Sequence, residues 1–215
     1  MQLPEYSSIQ TYIACNEENF KTIIRSFASV LAKLGIDPAY FLELLEGEMT
    51  DENFMYQGCG TDTQEYEYQE HTIHVRPYIM GWTPAVIPEL TTNWMEIAIL
   101  LWTEEIEMDH VTGEIKETYR SLLWQMMCAL AEEFTQTGVY FTNEVTDGLP
   151  WEAIVKKQYE SLYVFDAAII PKSLHTVYKD WDEEQFMHMQ TDDHLYIADK
   201  AIWKEAPWDL KNESS

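Results

Sequence analysis

Positive charge is the scarcest property of this chain. It has 13 Lys and Arg against 38 Asp and Glu, and the only arginines are Arg25, Arg76 and Arg120. Such a surface repels phosphates, whereas nucleic-acid binders need basic stripes that displace counterions. Direct binding of nucleic acid is therefore not expected. Cysteine is nearly as sparse: Cys15, Cys59 and Cys128 form an odd set without CxxC spacing, which suits a reducing cytosol. Long apolar runs are missing too. None is longer than the run from Ile97 to Trp102, which falls far short of the ~20 residues of a membrane helix. The opening Met-Gln-Leu-Pro-Glu-Tyr has neither the basic nor the apolar region of a signal peptide. A cytoplasmic protein that does not enter a membrane is expected.

Familiar catalytic motifs are also absent. There is no Gly-rich phosphate loop, no GxSxG, no HExxH and no EF-hand pattern, which removes the usual sequence arguments for a particular chemistry. No cofactor is expected.

What the chain has is a folded body under its charge. Apolar residues make up 46% and aromatics 13%, with 8 Trp and 10 Met, a content that disordered chains lack. At 215 residues a single domain is the default, since chains usually divide only beyond ~250. The net charge is −25, and it is unevenly spread. From Asp37 to Glu114 there are 17 acidic residues against Arg76 alone, a net −16. This field attracts basic proteins or cations and speeds their arrival; the competing explanation is solubility or adaptation to high salt.

The spacing predicts an α+β fold, with a mixed or antiparallel sheet packed on two main helices. An N-terminal amphipathic helix is expected at about 17–34, where Phe20, Ile23, Ile24, Phe27, Val30, Leu31 and Leu34 follow helical periodicity. Asn16 caps it and Gly35 ends it. Asp37-Pro38 opens a short second helix through about Leu45. A largely buried central helix is expected at about 117–134, because Ser121, Gln125 and Glu132 form a narrow polar stripe beside one wide apolar face.

Strand-like alternation marks Glu65 to Val75, slipping near Gln69–His71 as at a bulge or turn. Pro77, Gly81, Pro84 and Pro88 read as one apolar loop. The stretch from Trp94 to Met108 reads as strand, and Ile106 to Lys116 as a hairpin. A further strand is expected at Gly138–Thr142, a turn at Asp147-Gly148, a short helix after Pro150 and a strand near Leu162–Ile169. The remainder reads as partly helical, with a frayed tail at 212–215.

Two sets of residues are candidate sites. Glu65, Tyr66, Glu67 and Tyr68, with Glu104, Glu105, Glu107 and Asp109, could form an acidic face with aromatic anchors for a basic partner. His188, Asp192 and His194 are the best candidate metal ligands, although their spacing matches no standard ligand pattern. His71 and His74 are three apart in a strand and should point to opposite faces. Cys59, between two glycines, reads as a turn thiol whose acidic surroundings oppose reactivity.

The reading that best accounts for the charge is an acidic binding protein. It would neutralise or sequester a basic protein partner, as an immunity protein against a basic toxin or a nucleic-acid mimic would. The alternatives are a small metal-dependent hydrolase acting on a neutral or cationic substrate through His188, Asp192 and His194, and a structural subunit whose acidity serves solubility. The sequence sets no oligomeric state.

Overall fold

The computed structural model describes residues 5–46, 59–109 and 111–210. Helix α1 (Phe20–Lys33) is the first of the two main helices. Asn16 Oδ1 accepts the N–H groups of Glu18 and Asn19, capping the turn that leads into it. At its other end the Ile36 N–H donates to Leu31 O and the Gly35 N–H to Ala32 O, with Gly35 at φ +76°. This is a Schellman closure, which needs a left-handed residue. Helix α2 (Ala39–Leu44) follows, its first N–H held by Asp37 Oδ1 at 2.9 Å.

A nine-stranded antiparallel sheet forms the body. Its strands are β1 (Tyr6–Cys15), β2 (Cys59–Gly60), β3 (Gln64–Tyr68), β4 (His71–Trp82), β5 (Asn93–Trp102), β8 (Val139–Asn143), β9 (Ala167–Pro171), β10 (Phe186–Gln190) and β11 (His194–Asp199). In space they run β10-β11-β9-β8-β1-β5-β4-β2, with β3 also on β4. Strands β6 (Glu107–Asp109) and β7 (Glu114–Ile115) pair separately, where a hairpin is expected. Between β5 and β6 lies a single turn, α3 (Thr103–Ile106). Helix α4 (Glu117–Glu133) is the second main helix. Two short ones, α5 (Leu149–Val155) and α6 (Lys200–Trp203), complete the α-helices among the described residues.

One face of the sheet takes both main helices. Ile9, Ile73, Val75, Ile97, Ile99, Val139 and Phe141 pack with Phe27 and Leu31 of α1 and with Leu123, Met127 and Leu130 of α4 in one buried cluster. Removing this much apolar surface from water is the main favourable term in folding. The opposite face is covered in part. Towards β9–β11, α5 and the connection near Leu162, Phe165 and Tyr178 bury Tyr140, Ile170, Leu195 and Ile197. In the middle Tyr12, Leu90 and Trp151 close over it. Along β4 from Arg76 to Met80 the face stays open.

Several expectations are corrected. The ten residues of β1, a central strand, precede the first expected element. Strand β4 runs through Pro77 and Gly81 instead of ending in a loop there. The Pro77 carbonyl accepts from Thr61 N–H, so its missing N–H faces the interval between β3 and β2 and removes no bond to β5. The slip near Gln69 is a turn with Gln69 at φ 55°. Strand β9 starts at Ala167, five residues later than expected from Leu162, because a 3-10 turn at Tyr159–Ser161 and a following turn take up that stretch. The last segment is mostly the β10–β11 hairpin, with helix confined to short turns. Cys59 begins a strand instead of a turn. The tail at 212–215 lies outside the described residues.

Candidate functional site

The open part of the far face is built from three strands in register. Across β1, β5 and β4 run the rows Tyr12–Glu96–Met80 and Ser8–Leu100–Arg76. Strand alternation points this set away from the helices. The chain leaving β8 raises a wall beside them, with Glu144 and Asp147 on the turn before α5. The result is a cavity of about 340 Å³ lined by Tyr6, Ser8, Arg76, Tyr78, Met80, Trp82, Glu96, Leu100, Asn143, Glu144 and Asp147.

Its inner end is an aromatic and polar lattice. Trp151 stacks on Tyr12 with ring centroids 5.2 Å apart and on Trp82 at 5.9 Å. The Trp82 indole donates to Glu96 Oε2 at 3.1 Å. The Tyr12 hydroxyl donates to Gln10 Oε1, and Gln10 Nε2 donates to Thr142 Oγ1 at 2.9 Å. Glu96 is only 4% exposed. Burial, then the nearby Asp147 charge, push its carboxyl up to about 8 against the opposing Trp82 bond, as expected for an acid moved out of water. Asp147 stands at the rim. Partial removal of its carboxyl from water raises its pKa, which bonds from Gln10 and the Gly148 N–H counter and the Glu144 charge reinforces.

A second cavity of about 370 Å³ shares Asn143 and Glu144 with the first. Its acids are Glu5, Glu107, Glu144 and Asp166. Burial pushes Asp166 up to about 7, with Asp199 and Glu107 adding to the effect. The two cavities together are lined by six acids (Glu5, Glu96, Glu107, Glu144, Asp147 and Asp166) and one base, Arg76. Chemically this is a set of acceptors for a cationic group beside aromatic faces.

The residues expected to form one acidic, aromatic face are divided. On β3, Glu65 and Glu67 are exposed and pair with His74 and Thr72. Tyr66 and Tyr68 turn to the other side and pack on the helical core, with the Tyr66 hydroxyl donating to Leu34 O at 2.8 Å. Alternation along the strand makes that separation obligatory, so these tyrosines do not anchor the acidic face. Glu105 joins Glu65 and Glu67 through His74: it accepts the His74 N–H at 2.6 Å, and its other oxygen lies 2.6 Å from Nδ1. Trp102 stacks on the His74 ring at 3.8 Å. Glu104 is exposed and gives only its carbonyl, to Lys116 Nζ. Glu107 belongs to the second cavity. For Asp109 only the backbone, in β6, is described.

The proposed metal ligands do not converge. His188 packs on Trp181 at 4.4 Å, on the face that carries Phe186. His194 stacks with Tyr196 on the opposite face. Asp192 is exposed in the turn between them. Among the described residues no group of three or more His, Cys, Asp or Glu is placed to hold a metal ion. His71 and His74 contact Tyr119 and Trp102 respectively, on opposite faces as expected.

Glu96, Asp147, Glu144 and Ser8 are absent from the sequence-derived candidates. One signal was available for Glu96: it is the only charge in the stretch from Trp94 to Trp102, and a lone acid in a buried strand needs a reason. Comparison with known proteins finds no matching family model, no matching curated protein and no matching solved structure. Among the described residues no helix is long and apolar enough to cross a membrane.

Proposed function

We propose that this chain is an acidic binding protein that captures a basic protein partner, neutralising or sequestering it, through the paired cavities beside the β8–α5 turn. The carrying observation is the six-to-one excess of acidic over basic residues lining those cavities, drawn from segments as distant in sequence as Glu5 and Asp166. Long-range attraction by the whole acidic surface would bring the partner in, and the cavity carboxylates would meet its Lys and Arg. A cytoplasmic setting belongs to this reading and is supported by the free thiols of Cys15 and Cys128. The placement of His188, Asp192 and His194 gives no support to a metal-dependent hydrolase.

The test is capture from source-cell lysate at low salt, followed by stepwise salt elution. The wild type is compared with a triple variant, Glu107→Gln, Glu144→Gln and Asp147→Asn. The expected result is one basic protein, near one-to-one, released at a defined salt step from the wild type and lost from the variant. Its association with the variant should be slower by roughly tenfold at low salt. Equal capture by both proteins, or an unselective mixture of basic proteins, would overturn the reading.

A further inference from the structure

The groove on β1, β4 and β5 offers more than net charge. The Ser8 hydroxyl belongs to a residue only 3% exposed that lines this groove, and it has no hydrogen-bond partner. An unpaired buried hydroxyl costs stability, and a donor entering the groove would satisfy it. Glu96 lies two rows further in, beyond Gln10–Ala98–Tyr78, with the Trp82 indole on Oε2. Glu144 and Asp147 face it from the wall. The acceptors are therefore spread along a slot flanked by rings and do not converge on a point.

We infer that the groove is a binding site for a guanidinium group, supplied as an arginine side chain of the basic partner. Glu96, Glu144 and Asp147 accept its N–H groups beside the Trp82 ring. This inference rests on the basic-partner reading and names the chemistry of its central contact. Guanidinium is favoured over ammonium because it is planar, weakly hydrated and carries five donors in a fixed fork, which suits dispersed acceptors between aromatic faces. An anion is disfavoured, because Glu96, Glu144 and Asp147 oppose a single lining base, Arg76, whose guanidinium lies over the Tyr78 ring and donates Nε–H to Thr61 O at 3.0 Å. The volume of about 340 Å³ is at the small end of ligand pockets, ample for one such side chain.

The test is a calorimetric or NMR titration of the full chain with Nα-acetyl-arginine methylamide and with its lysine and citrulline counterparts. Saturable binding of the arginine compound is expected, with the uncharged citrulline compound weaker by roughly tenfold or more. Asp147→Asn should weaken it by a similar factor, Glu96→Gln should do so above about pH 8, where that carboxyl is ionised, and Ser8→Ala should weaken it by a few-fold, about threefold. Asp147 stands at the rim, so its variant remains informative even if Glu96→Gln disturbs folding. Arg76→Gln should tighten binding. Equal affinity for the citrulline compound, or a larger loss in Arg76→Gln than in Asp147→Asn, would overturn the inference.

The two proposals fail separately. A basic protein captured equally by wild type, Ser8→Ala and Glu96→Gln would remove the guanidinium site and leave the basic-partner reading standing. Binding of the arginine compound with no basic protein captured would support the site, assign it to a free guanidinium compound and overturn its protein source.

Discussion

Glu96 illustrates how strand parity can hold a carboxyl away from water. It sits between Tyr12 and Met80 on neighbouring strands, and its pKa rises from an ordinary 4.5 to about 8. Between those values the folded protein keeps a proton that the unfolded chain releases. Stability is therefore fully present below the lower value and is lost as pH rises through the upper one. Asp166, pushed up to about 7, acts in the same direction. Urea unfolding should show a stability loss of a few kcal/mol between about pH 5 and pH 9. Glu96→Gln should flatten most of that slope, and adding Asp166→Asn should flatten the rest. An unchanged slope in the double variant would place the titration elsewhere. At this scale the site was poorly legible from sequence. Ser8 and Glu144 carry no local signal, since their roles depend on strands and turns paired across more than ninety residues. The Glu-Tyr alternation of β3 was legible as strand, but parity sends its two tyrosines into the core.

At the scale of elements, helices were read well because their signal is local. Every turn of α1 and α4 repeats the apolar stripe, and the ends carry their own punctuation at Asn16 and Gly35. The Gly35 closure permits a clean measurement. Its φ is +76°, and no atom lies within 4 Å of where a Cβ would stand. Gly35→Ala therefore adds backbone strain without a clash, and should cost about 1 kcal/mol. Gly35→Asn should cost less, because asparagine tolerates this conformation. Denaturant midpoints with unchanged slopes would report both values, and a neutral Gly35→Ala would contradict the closure geometry. Strand β1 was missed for the opposite reason. Ser7, Ser8, Gln10 and Thr11 are all buried, so polar and apolar residues do not sort by face. Three of the four find distant partners: the Ser7 hydroxyl pairs with Thr103, Gln10 Nε2 donates to Thr142 Oγ1, and the Thr11 hydroxyl donates to Gly138 O at 2.7 Å. The β10–β11 hairpin alternates too, but its exposed acids and histidines resemble a solvated helix.

For the whole molecule the governing quantity is the net charge of −25. Ion pairs such as Lys156–Glu152 and Lys204–Glu114 offset little of it, because bases are few. Self-repulsion should therefore weaken the fold at low ionic strength. Moving from about 10 mM to about 150 mM NaCl shortens the screening length from ~30 Å to ~8 Å. The melting temperature in calorimetry should rise by several degrees over that range, and a flat or falling value would mean that attractive pairs dominate. The sheet order sets a further condition on the same molecule. Ile9, on β1, pairs with both Ile99 and Phe141, so its two flanking partners are added long after it during translation. At ribosomal speeds of ~5–20 residues per second, β1 waits on the order of 10 s for the second of them. At least one edge of that strand is unsatisfied in the meantime. The sheet closes late in synthesis, and the pace of the ribosome sets how long a nascent chain must be shielded from its neighbours.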